Sequence, residues 1–385
     1  MRSRLVKVVL AFGIASVTTV HAIVPTNIPC FKPFLGLSYS PFQGNESPNF
    51  NSFPSVADIA YDLTNSVTYL ASEIETYGMD GTLSNIPALC NSFNIMCYPC
   101  AYLSTNGATD NPYEINALIA VGNQNFPTTR GLIVGTESIL FGYSPATLIS
   151  NINYVRAATG NSVPVGTRDA AASFANNPAV VAACDFIQVD TYAYWAKMPV
   201  DEAAVWTIQQ WQALTNQFPG TRVEIGETDW PCGGTNALWD DGAVVPSVAN
   251  QDKFLSEFIP LANSNGIEYF IFDFRDETWK VQDGYGTIET NWGVLYATNV
   301  KKQSLLDHLS DGFSLNMTAA SQNTATIWVD TYESDPYLLF STTNLTVPGN
   351  LAVSFTGAAG TNQTAITVTN SSGQGAWFYN ASQNF

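Results

Sequence analysis

Short apolar runs alternate with segments of helical pattern over most of this chain. Eight runs have the length of a strand, and they start on average about 34 residues apart, the length of one strand-helix unit. The predicted strands span residues 34–39, 72–77, 94–102, 132–137, 163–169, 185–192, 222–230 and 269–277. Eight such units in succession predict a (β/α)8 barrel, the TIM-barrel fold.

Helix signals between the runs support this arrangement. Residues 55–65 open with a serine and place apolar side chains at helical spacing, and residues 202–218 and 251–265 form the longest helical patterns. Ser144-Pro145 supplies an N-cap and a first-turn proline, and Gly266 follows the last pattern, where glycine commonly ends a helix.

The pattern changes after residue 310. No Lys or Arg follows Lys302, and β-rich runs separated by turn residues replace the helical segments. These runs span residues 324–331, 337–342, 351–356, 364–368 and 376–379. We predict a catalytic barrel at 23–310 and a small β-rich C-terminal domain at 311–385, whose role as a sugar-binding or a stabilising module stays open.

Residues 1–22 have the pattern of a secretory signal. Arg2, Arg4 and Lys7 precede an apolar run from Val8, and a small residue, Ala22, marks the cleavage site. This run is too short to span a bilayer, and no later run reaches the roughly 18 apolar residues that a membrane helix needs. The sequence therefore predicts a secreted protein, extracellular or in the cell wall, without a membrane partner.

The charge balance excludes one class of partner. The chain has 14 Lys and Arg against 32 Asp and Glu, a formal net charge of −18, and removal of the signal makes it more negative. Nucleic-acid binding requires basic clusters that are absent here. Sequons for N-glycosylation occur at Asn45, Asn316, Asn344, Asn362, Asn370 and Asn380.

Six cysteines remain after the predicted cleavage, at 30, 90, 97, 100, 184 and 232. In an oxidising compartment an even count favours disulfides, but six cysteines allow 15 pairings and the sequence does not choose among them. Cys97 and Cys100 have the spacing of a redox or zinc motif, but there is no second pair of this kind. His308 is the only histidine beyond the signal, so we predict no metal and no cofactor.

Two glutamates end predicted buried strands. Glu137 follows the run G-L-I-V-G-T, and Glu227 follows R-V-E-I-G. Strand ends of this kind meet at the active-site face of a TIM barrel, and a pair of carboxylates is what glycosidic bond cleavage needs. The alternative is that both are solvated strand ends without a catalytic role.

Other strand-end residues would join the same face and suit a sugar cleft, because aromatic rings stack on pyranose rings. They are Tyr39, Tyr77, Asp169, Tyr192, Tyr194, Trp195, Trp230 and Glu277. For any single aromatic residue among them, packing in the core or at the rim is an equal alternative.

Four motifs resemble the family 17 glycoside hydrolases, the secreted β-1,3-glucanases and glucanosyltransferases. I-G-E-T-D-W-P around Glu227 is similar to the nucleophile segment G-E-T-G-W-P of that family, and V-G-T-E around Glu137 is similar to its acid/base segment V-G-N-E. Further matches are F-D-F-R-D-E-T-W-K at 272–280 and N-W-G-V-L at 291–295. The resemblance covers residues 36–295.

The resemblance implies a retaining enzyme that cleaves β-1,3-glucan by double displacement. We expect endo action, although the choice between endo and exo depends on loops that could block one end of the groove, and we expect a monomer with a β-glucan substrate. Glu227 would be the nucleophile and Glu137 the acid/base, with Tyr192 orienting Glu227. It also implies that Glu277, Lys280 and Glu289 lie close to the substrate, although a Lys280 ion pair at the surface is the plain alternative.

Two residues depart from the family pattern. Thr136 stands where the family has an asparagine that binds the sugar 2-hydroxyl, and Glu75 replaces a basic residue of the segment I-R-L-Y-G. Both changes leave open a secreted glucan-binding protein with weak or no catalysis. A glucanosyltransferase with the same two glutamates is a third possibility, because hydrolysis and transfer share the first half-reaction.

Overall fold

The computed structural model describes residues 32–238, 242 and 244–305, together with the C-terminal strands given below. The predicted signal segment at 1–22 and Cys30 lie outside the described residues. The chain divides into two compact units, of which Phe34–Leu306 is the larger and the C-terminal strands belong to the other.

Parallel strands form the centre of the larger unit. They are β1 (Phe34–Ser38), β2 (Ala71–Glu75), β3 (Met96–Tyr98), β4 (Cys100–Ala101), β5 (Leu132–Thr136), β6 (Val165–Ala170), β7 (Phe186–Asp190), β8 (Arg222–Thr228) and β9 (Tyr269–Ile271). Their hydrogen-bonded order is β3-β2-β1-β9-β8-β7-β6-β5-β4. Since β3 and β4 are one strand interrupted at Pro99, which has no N–H to donate, the order returns to its start. The predicted (β/α)8 barrel is confirmed.

Helices connect the strands and cover the outside of the sheet. They are α1 (Val56–Asp62), α2 (Thr68–Leu70), α3 (Ile86–Phe93), α4 (Asp110–Gly122), α5 (Pro145–Ala158), α6 (Ala171–Asn176), α7 (Pro178–Ala182), α8 (Val200–Gln217) and α9 (Val248–Ser264). A π-helical turn, Leu63–Val67, joins α1 to α2, so the predicted helix at 55–65 is longer than expected.

Serine N-caps fix where three helices begin. The hydroxyls of Ser55, Ser144 and Ser247 each accept a hydrogen bond from the backbone amide three residues later, which satisfies a donor that the first turn leaves unpaired. Ser247 therefore starts α9 three residues before the predicted position. Gly266, at φ +64°, follows the end of α9 as predicted.

The core has two layers. Inside the barrel, one buried cluster consists of Tyr98, Cys100, Ile133, Phe186 and Phe270. Between the sheet and the helices, the apolar faces of α4 and α5 pack on β5 and β6 through a second cluster that includes Leu118, Leu148, Ile152, Val134 and Val165. Burial on both faces explains why these strands appear in the sequence as continuous apolar runs.

The C-terminal unit consists of antiparallel strands. They are β10 (Leu315–Ser321), β11 (Thr324–Asp330), β12 (Pro336–Thr342), β13 (Asn350–Thr356), β14 (Gln363–Thr369) and β15 (Phe378–Gln383). Two three-stranded sheets result, in the orders β10-β11-β14 and β13-β12-β15. Five of these strands overlap the predicted runs, whereas β10 was not predicted because it contains no aromatic residue and only one β-branched residue, Thr318.

The structure also bears on the predicted disulfides and on the predicted lack of a membrane-spanning helix. Cys90, Cys97, Cys100, Cys184 and Cys232 are free thiols, so the predicted disulfides have no pair among the cysteines that the structure describes. Within that part of the chain, no helix combines the length and the apolar composition that a bilayer span requires.

Candidate active site

A sharp turn at the end of β5 projects Glu137 from the barrel. Gly135 has φ +84° and Glu137 has φ +46°, a conformation that non-glycine residues adopt rarely and that is found at functional sites. The pairing of β5 with β6 shifts register between Ile133 and Thr136, and the Glu137 amide then donates to the Arg168 carbonyl at 2.9 Å. The partly exposed Glu137 side chain is thus directed by a distortion in the strand that carries it.

Asp169 holds this turn in place. Its Oδ2 accepts from the Ile139 amide at 2.7 Å and its Oδ1 from the Leu140 amide at 3.3 Å. Asp169 is fully buried. Although we predicted Asp169 as a substrate-binding residue, its carboxylate binds the backbone that follows Glu137.

Glu227 lies on β8 with both carboxylate oxygens engaged. Its Oε2 accepts a hydrogen bond from the Tyr192 hydroxyl at 2.5 Å, and its Oε1 lies 3.2 Å from Nη2 of Arg168. Only 5% of Glu227 is exposed. A guanidinium and a hydroxyl donor both stabilise the carboxylate form, which is the form that a nucleophile requires.

A second register shift aims Glu227. The pairing of β7 with β8 shifts between Val189 and Asp190, so that Asp190 lies opposite Glu227 instead of Gly226. A Cβ at Gly226 would lie 2.6 Å from Cδ of Arg168 and 2.9 Å from Oδ1 of Asp190. Glycine is therefore needed here, because it leaves the space in which the arginine lies.

Arg168, on β6, joins several acidic side chains inside the barrel. Its Nη1 lies 2.6 Å from Oε1 of Glu75 and its Nε lies 3.8 Å from Oδ1 of Asp190. Its Nε also donates to Thr136 Oγ1 at 3.0 Å, and its guanidinium stacks 4.7 Å from the centre of the Tyr77 ring. Arg168 is completely buried, and Glu75, Asp190 and Thr136 are also buried.

Burial favours the protonated form of three acids in this region. Burial, followed by the charge of Glu227, raises the pKa of Glu137 to about 8. Burial raises the pKa of Glu75 to about 8 as well, against the opposing charge of Arg168, and raises the pKa of Asp190 well above its ordinary value. At neutral pH the site therefore holds a protonated Glu137 facing the carboxylate that Tyr192 and Arg168 bind.

Both glutamates lie in the part of the chain that matches a known protein family. A family model of the BtgE/BtgC glycoside hydrolase domain matches residues 36–293, which include Glu137 and Glu227. The chain belongs to this family. This membership confirms the resemblance to family 17 glycoside hydrolases.

One relative of this BtgE/BtgC domain is btgC of Aspergillus niger, whose name assigns it as a glucan endo-1,3-beta-glucosidase. The two proteins are 31% identical over 302 residues, which are 70% of this chain and 43% of the relative. The chain thus matches less than half the length of that protein.

Solved structures of enzymes share the barrel. A mutant beta-1,3-glucanosyltransferase of Rhizomucor miehei, in complex with laminaritriose, superposes with a TM-score of 0.62 at 24% identity, over 71% of this chain and 96% of the other. An endo-laminarinase from Formosa superposes with a TM-score of 0.60 at 17% identity, over 71% and 86%. Both similarities show the fold.

The loop after β9 of the BtgE/BtgC barrel adds a lysine to the site. Lys280 Nζ lies 2.7 Å from Oε2 of Glu277 and 4.3 Å from the centre of the Phe272 ring. The Lys280 side chain is 13% exposed and that of Glu277 only 2%, so the alternative of a surface ion pair is wrong. Ser40 and Trp279 donate to the other oxygen of Glu277.

Lys280 sets the charge of the two acids near it. Burial raises the pKa of Glu277, but the Lys280 charge and the hydrogen bonds to the carboxylate outweigh burial, and the pKa is lowered. Burial raises the pKa of Glu289 to about 7 against the same lysine. Glu277 is therefore an anion at neutral pH, whereas Glu289 titrates near it.

Aromatic rings surround Tyr192. Trp292 and Phe272 contact it edge-on, with ring centroids at 5.0 and 5.7 Å, and the partly exposed Trp195 packs against Trp292 at 6.4 Å. Tyr77 contacts Phe272 in the same way at 6.3 Å. Of the predicted sugar-contacting aromatics, the structure thus brings together Tyr77, Tyr192 and Trp195.

Two other predicted aromatics point into the core. Tyr39 is fully buried, donates to Asp62 at 3.4 Å and packs on Phe274. Trp230 is also fully buried, and its indole nitrogen donates to the Val245 carbonyl at 2.9 Å. Both have the packing role that was the stated alternative for strand-end aromatics.

Arg168 and Asp190 are functional candidates that sequence reasoning missed. Each is a charged residue in a strand that we predicted to lie in the barrel, where a buried charge is costly unless it is paired. This cost of burying a charge is the signal in the sequence that could have indicated both residues. The partners themselves come from other strands and are not visible in the local pattern.

Proposed function

We propose that this chain is a retaining glycoside hydrolase that cleaves β-1,3-glucan, with Glu227 as the nucleophile and Glu137 as the general acid/base. The observation that carries the proposal is the contrast between the two glutamates. Glu227 is bound by a hydroxyl and a guanidinium, whereas burial and the Glu227 charge raise the pKa of Glu137 to about 8. Paired carboxyl groups with opposite protonation states are what double displacement requires.

The chemistry follows from these environments. Glu227 attacks the anomeric carbon, the glycosidic bond breaks, and Glu137 gives its proton to the leaving oxygen. The ester at Glu227 carries no charge, so it no longer raises the pKa of Glu137. Glu137 can then accept a proton from the water that attacks the anomeric carbon and releases Glu227.

The substrate class rests on the relatives. The name of the Aspergillus niger relative specifies a β-1,3-glucan, and the Rhizomucor miehei enzyme was solved with laminaritriose. Lys280, Trp195 and the rings around Tyr192 would contact the sugar chain, and Glu277 and Glu289 would act through Lys280. Endo action is proposed from the same relative.

Transfer to a sugar acceptor is the second candidate, favoured by the similarity to the Rhizomucor miehei glucanosyltransferase. A transferase forms the same ester at Glu227, and a sugar hydroxyl replaces water in the second step. Products longer than the starting oligosaccharide would identify it.

The test follows the products of a pure laminari-oligosaccharide labelled at its reducing end, by mass and by anomeric configuration. We expect cleavage with retained configuration, and a loss of activity of at least roughly a thousandfold in Glu227→Ala. Glu202→Ala, which changes an exposed glutamate on α8, is the matched control and should keep full activity. Inversion of configuration would contradict the proposal, and binding without turnover would identify a glucan-binding protein instead.

We also propose that the protein is exported as a monomer after cleavage near Ala22 and is glycosylated. The support is the signal pattern at 1–22 and the sequons, of which Asn45 is exposed in a turn. N-terminal sequencing of the secreted form, its mass before and after enzymatic deglycosylation, and size-exclusion chromatography with light scattering test these points. An uncleaved N-terminus in the medium would contradict the signal.

A further inference from the structure

We infer that Arg168 is a positioning residue for the nucleophile, and that it supplies from β6 the cation that the family pattern places at position 75 on β2. The inference rests on the proposed function, because it assigns how Glu227 is held ready for attack. Arg168 acts through the Glu227 carboxylate, which it binds at Oε1, and not through a contact with the sugar.

Both departures from the family pattern contact this one side chain. Glu75, which replaces a basic residue, lies 2.6 Å from Arg168 Nη1. Thr136, which replaces an asparagine, accepts a hydrogen bond from Arg168 Nε at 3.0 Å. Two changes that look like separate losses in the sequence therefore form one network, with Arg168 at its centre.

The surroundings fix the guanidinium in one place. Gly226 leaves the space for the arginine stem, because a Cβ there would lie 2.6 Å from Arg168 Cδ. The Tyr77 ring covers the guanidinium at 4.7 Å. With Thr136 binding Nε and Glu75 close to Nη1, Nη2 is directed toward Glu227 Oε1 at 3.2 Å.

The environment of the two other acids beside Arg168 favours their protonated forms. Burial raises the pKa of Glu75 to about 8 and that of Asp190 well above its ordinary value, against the opposing charge of Arg168. Wherever either acid holds its proton, it competes less with Glu227 for the charge of Arg168. The titratable and charged groups that interact with Glu227 come from several elements. They are Glu75 at the end of β2, Tyr77 after β2, Cys100 on β4, Glu137 after β5, Arg168 on β6, Asp190 at the end of β7, Tyr192 after β7, and Glu289 in the loop after β9.

The first variant removes the cation. In Arg168→Met, Glu227 loses the charge that favours its ionised form, so the acidic limb of the kcat/KM profile should move to higher pH. Loss of orientation should lower kcat by about a hundredfold, whereas KM should stay within about threefold.

The second variant returns the cation to β2. An arginine at position 75 would place its guanidinium in the space that Arg168 leaves, since the two side chains are in contact. Glu75→Arg combined with Arg168→Met should therefore recover activity to within about tenfold of the parent and restore the acidic limb. Glu75→Arg alone should not improve on the parent, because it crowds two cations into one space.

Two controls separate positioning from folding. Arg222→Met removes an arginine at the start of β8 that stacks on Phe186, and it should leave the kcat/KM profile unchanged. Circular dichroism and thermal unfolding show whether each variant is folded. If Arg168→Met does not fold, Arg168→Lys carries the test: it keeps the charge, so the acidic limb should stay in place while kcat falls.

The outcomes distinguish this inference from the proposed function. An active parent whose acidic limb and kcat are unchanged in folded Arg168→Met would overturn the inference alone, as would a folded double variant without recovery. A parent that does not turn over laminari-oligosaccharides would overturn the proposed function. In that case the ¹³C resonance of labelled Glu227 decides: it should titrate at higher pH in Arg168→Met than in the parent, and equal titration would overturn the inference.

Discussion

Glu137 and Glu227 are chemically identical side chains that the barrel gives opposite properties. Tyr192 and Arg168 stabilise the charge on Glu227, while Glu137 sits on a turn where burial and the facing carboxylate favour its protonated form. Neither glutamate carries this difference in its own sequence segment. The difference between the two glutamates arises from Arg168 on β6 and from Tyr192, beyond the end of β7.

The pKa of Glu137 predicts the alkaline side of the pH profile. A general acid must be protonated in the free enzyme, so kcat/KM should fall as pH rises through about 8. Measurement of kcat/KM between pH 4 and 10, with activity recovered on return to pH 6 as the control for denaturation, tests this. An alkaline limb below about pH 6 would show that Glu137 does not hold the proton.

Tyr192→Phe should lower kcat with little change in KM. It removes the 2.5 Å hydrogen bond to Glu227, and a hydrogen bond to a charged group contributes about 1.5–3 kcal/mol, so a loss of about 10- to 150-fold is expected. Tyr98→Phe is the matched control, since Tyr98 donates to Glu224 inside the barrel. Equal losses in both variants would mean that the effect is structural.

At the scale of the elements, the strands that carry the two glutamates leave regular pairing just before them. The β5–β6 register shifts before Thr136, and the β7–β8 register shifts before Glu227. Such irregularities re-aim a side chain at the cost of local pairing. A regular strand would alternate strictly and would place neighbouring residues on opposite faces.

Gly226→Ala should test the space that this irregularity creates. The added methyl would lie 2.6 Å from Arg168 Cδ, so overpacking of about 1–3 kcal/mol and a displaced guanidinium are expected, with lower thermal stability and lower kcat. Gly233→Ala is the control, because its new methyl would find no atom closer than 3.6 Å. Unchanged kcat in a folded Gly226→Ala protein would contradict the account.

The positions of the barrel strands could be predicted from the sequence, because each strand appears as a continuous run in the local pattern of apolar residues. The apolar runs located every barrel strand, and the ends of β5 and β8 located both glutamates. The break at Pro99 was not predicted. For Tyr39 and Trp230 the sequence left core packing and sugar contact as alternatives, because strand-end residues turn inward or outward according to the loops that pack on them.

The role of Arg168 could not be predicted from the local sequence pattern, for a different reason. Its partners, Glu75, Thr136 and Glu227, lie on β2, β5 and β8, which the sequence separates widely and only the closed barrel brings together. In the sequence, Glu75 in place of a basic residue thus appeared to reverse the charge at the site. In the structure, the Arg168 guanidinium lies beside Glu75.

At the scale of the whole molecule, buried carboxyl groups make stability depend on pH. Burial raises the pKa of Glu73 to about 7, of Glu114 to about 8 and of Glu224 to about 9. The folded state therefore binds more protons than the unfolded state above about pH 4.5, so the free energy of unfolding should fall as pH rises. Tm should decrease from pH 5 to pH 8.

Glu73→Gln should reduce this slope between pH 5 and 7, because it removes one of the groups that titrates there. Asp58→Asn, an exposed change on α1, is the control and should leave the slope unaltered. A Tm that rises steadily from pH 5 to pH 8 would contradict the assignment of these carboxyl groups as protonated when folded.

The proposed double displacement requires a covalent bond between Glu227 and the sugar. The most direct measurement incubates the protein with a 2-deoxy-2-fluoro laminaribiosyl fluoride, which slows release of the ester, and locates the added mass by peptide mapping. We expect one adduct, on the peptide that contains Glu227, formed more slowly in Arg168→Met. A stable adduct on another residue, or turnover with inversion and no adduct, would contradict it.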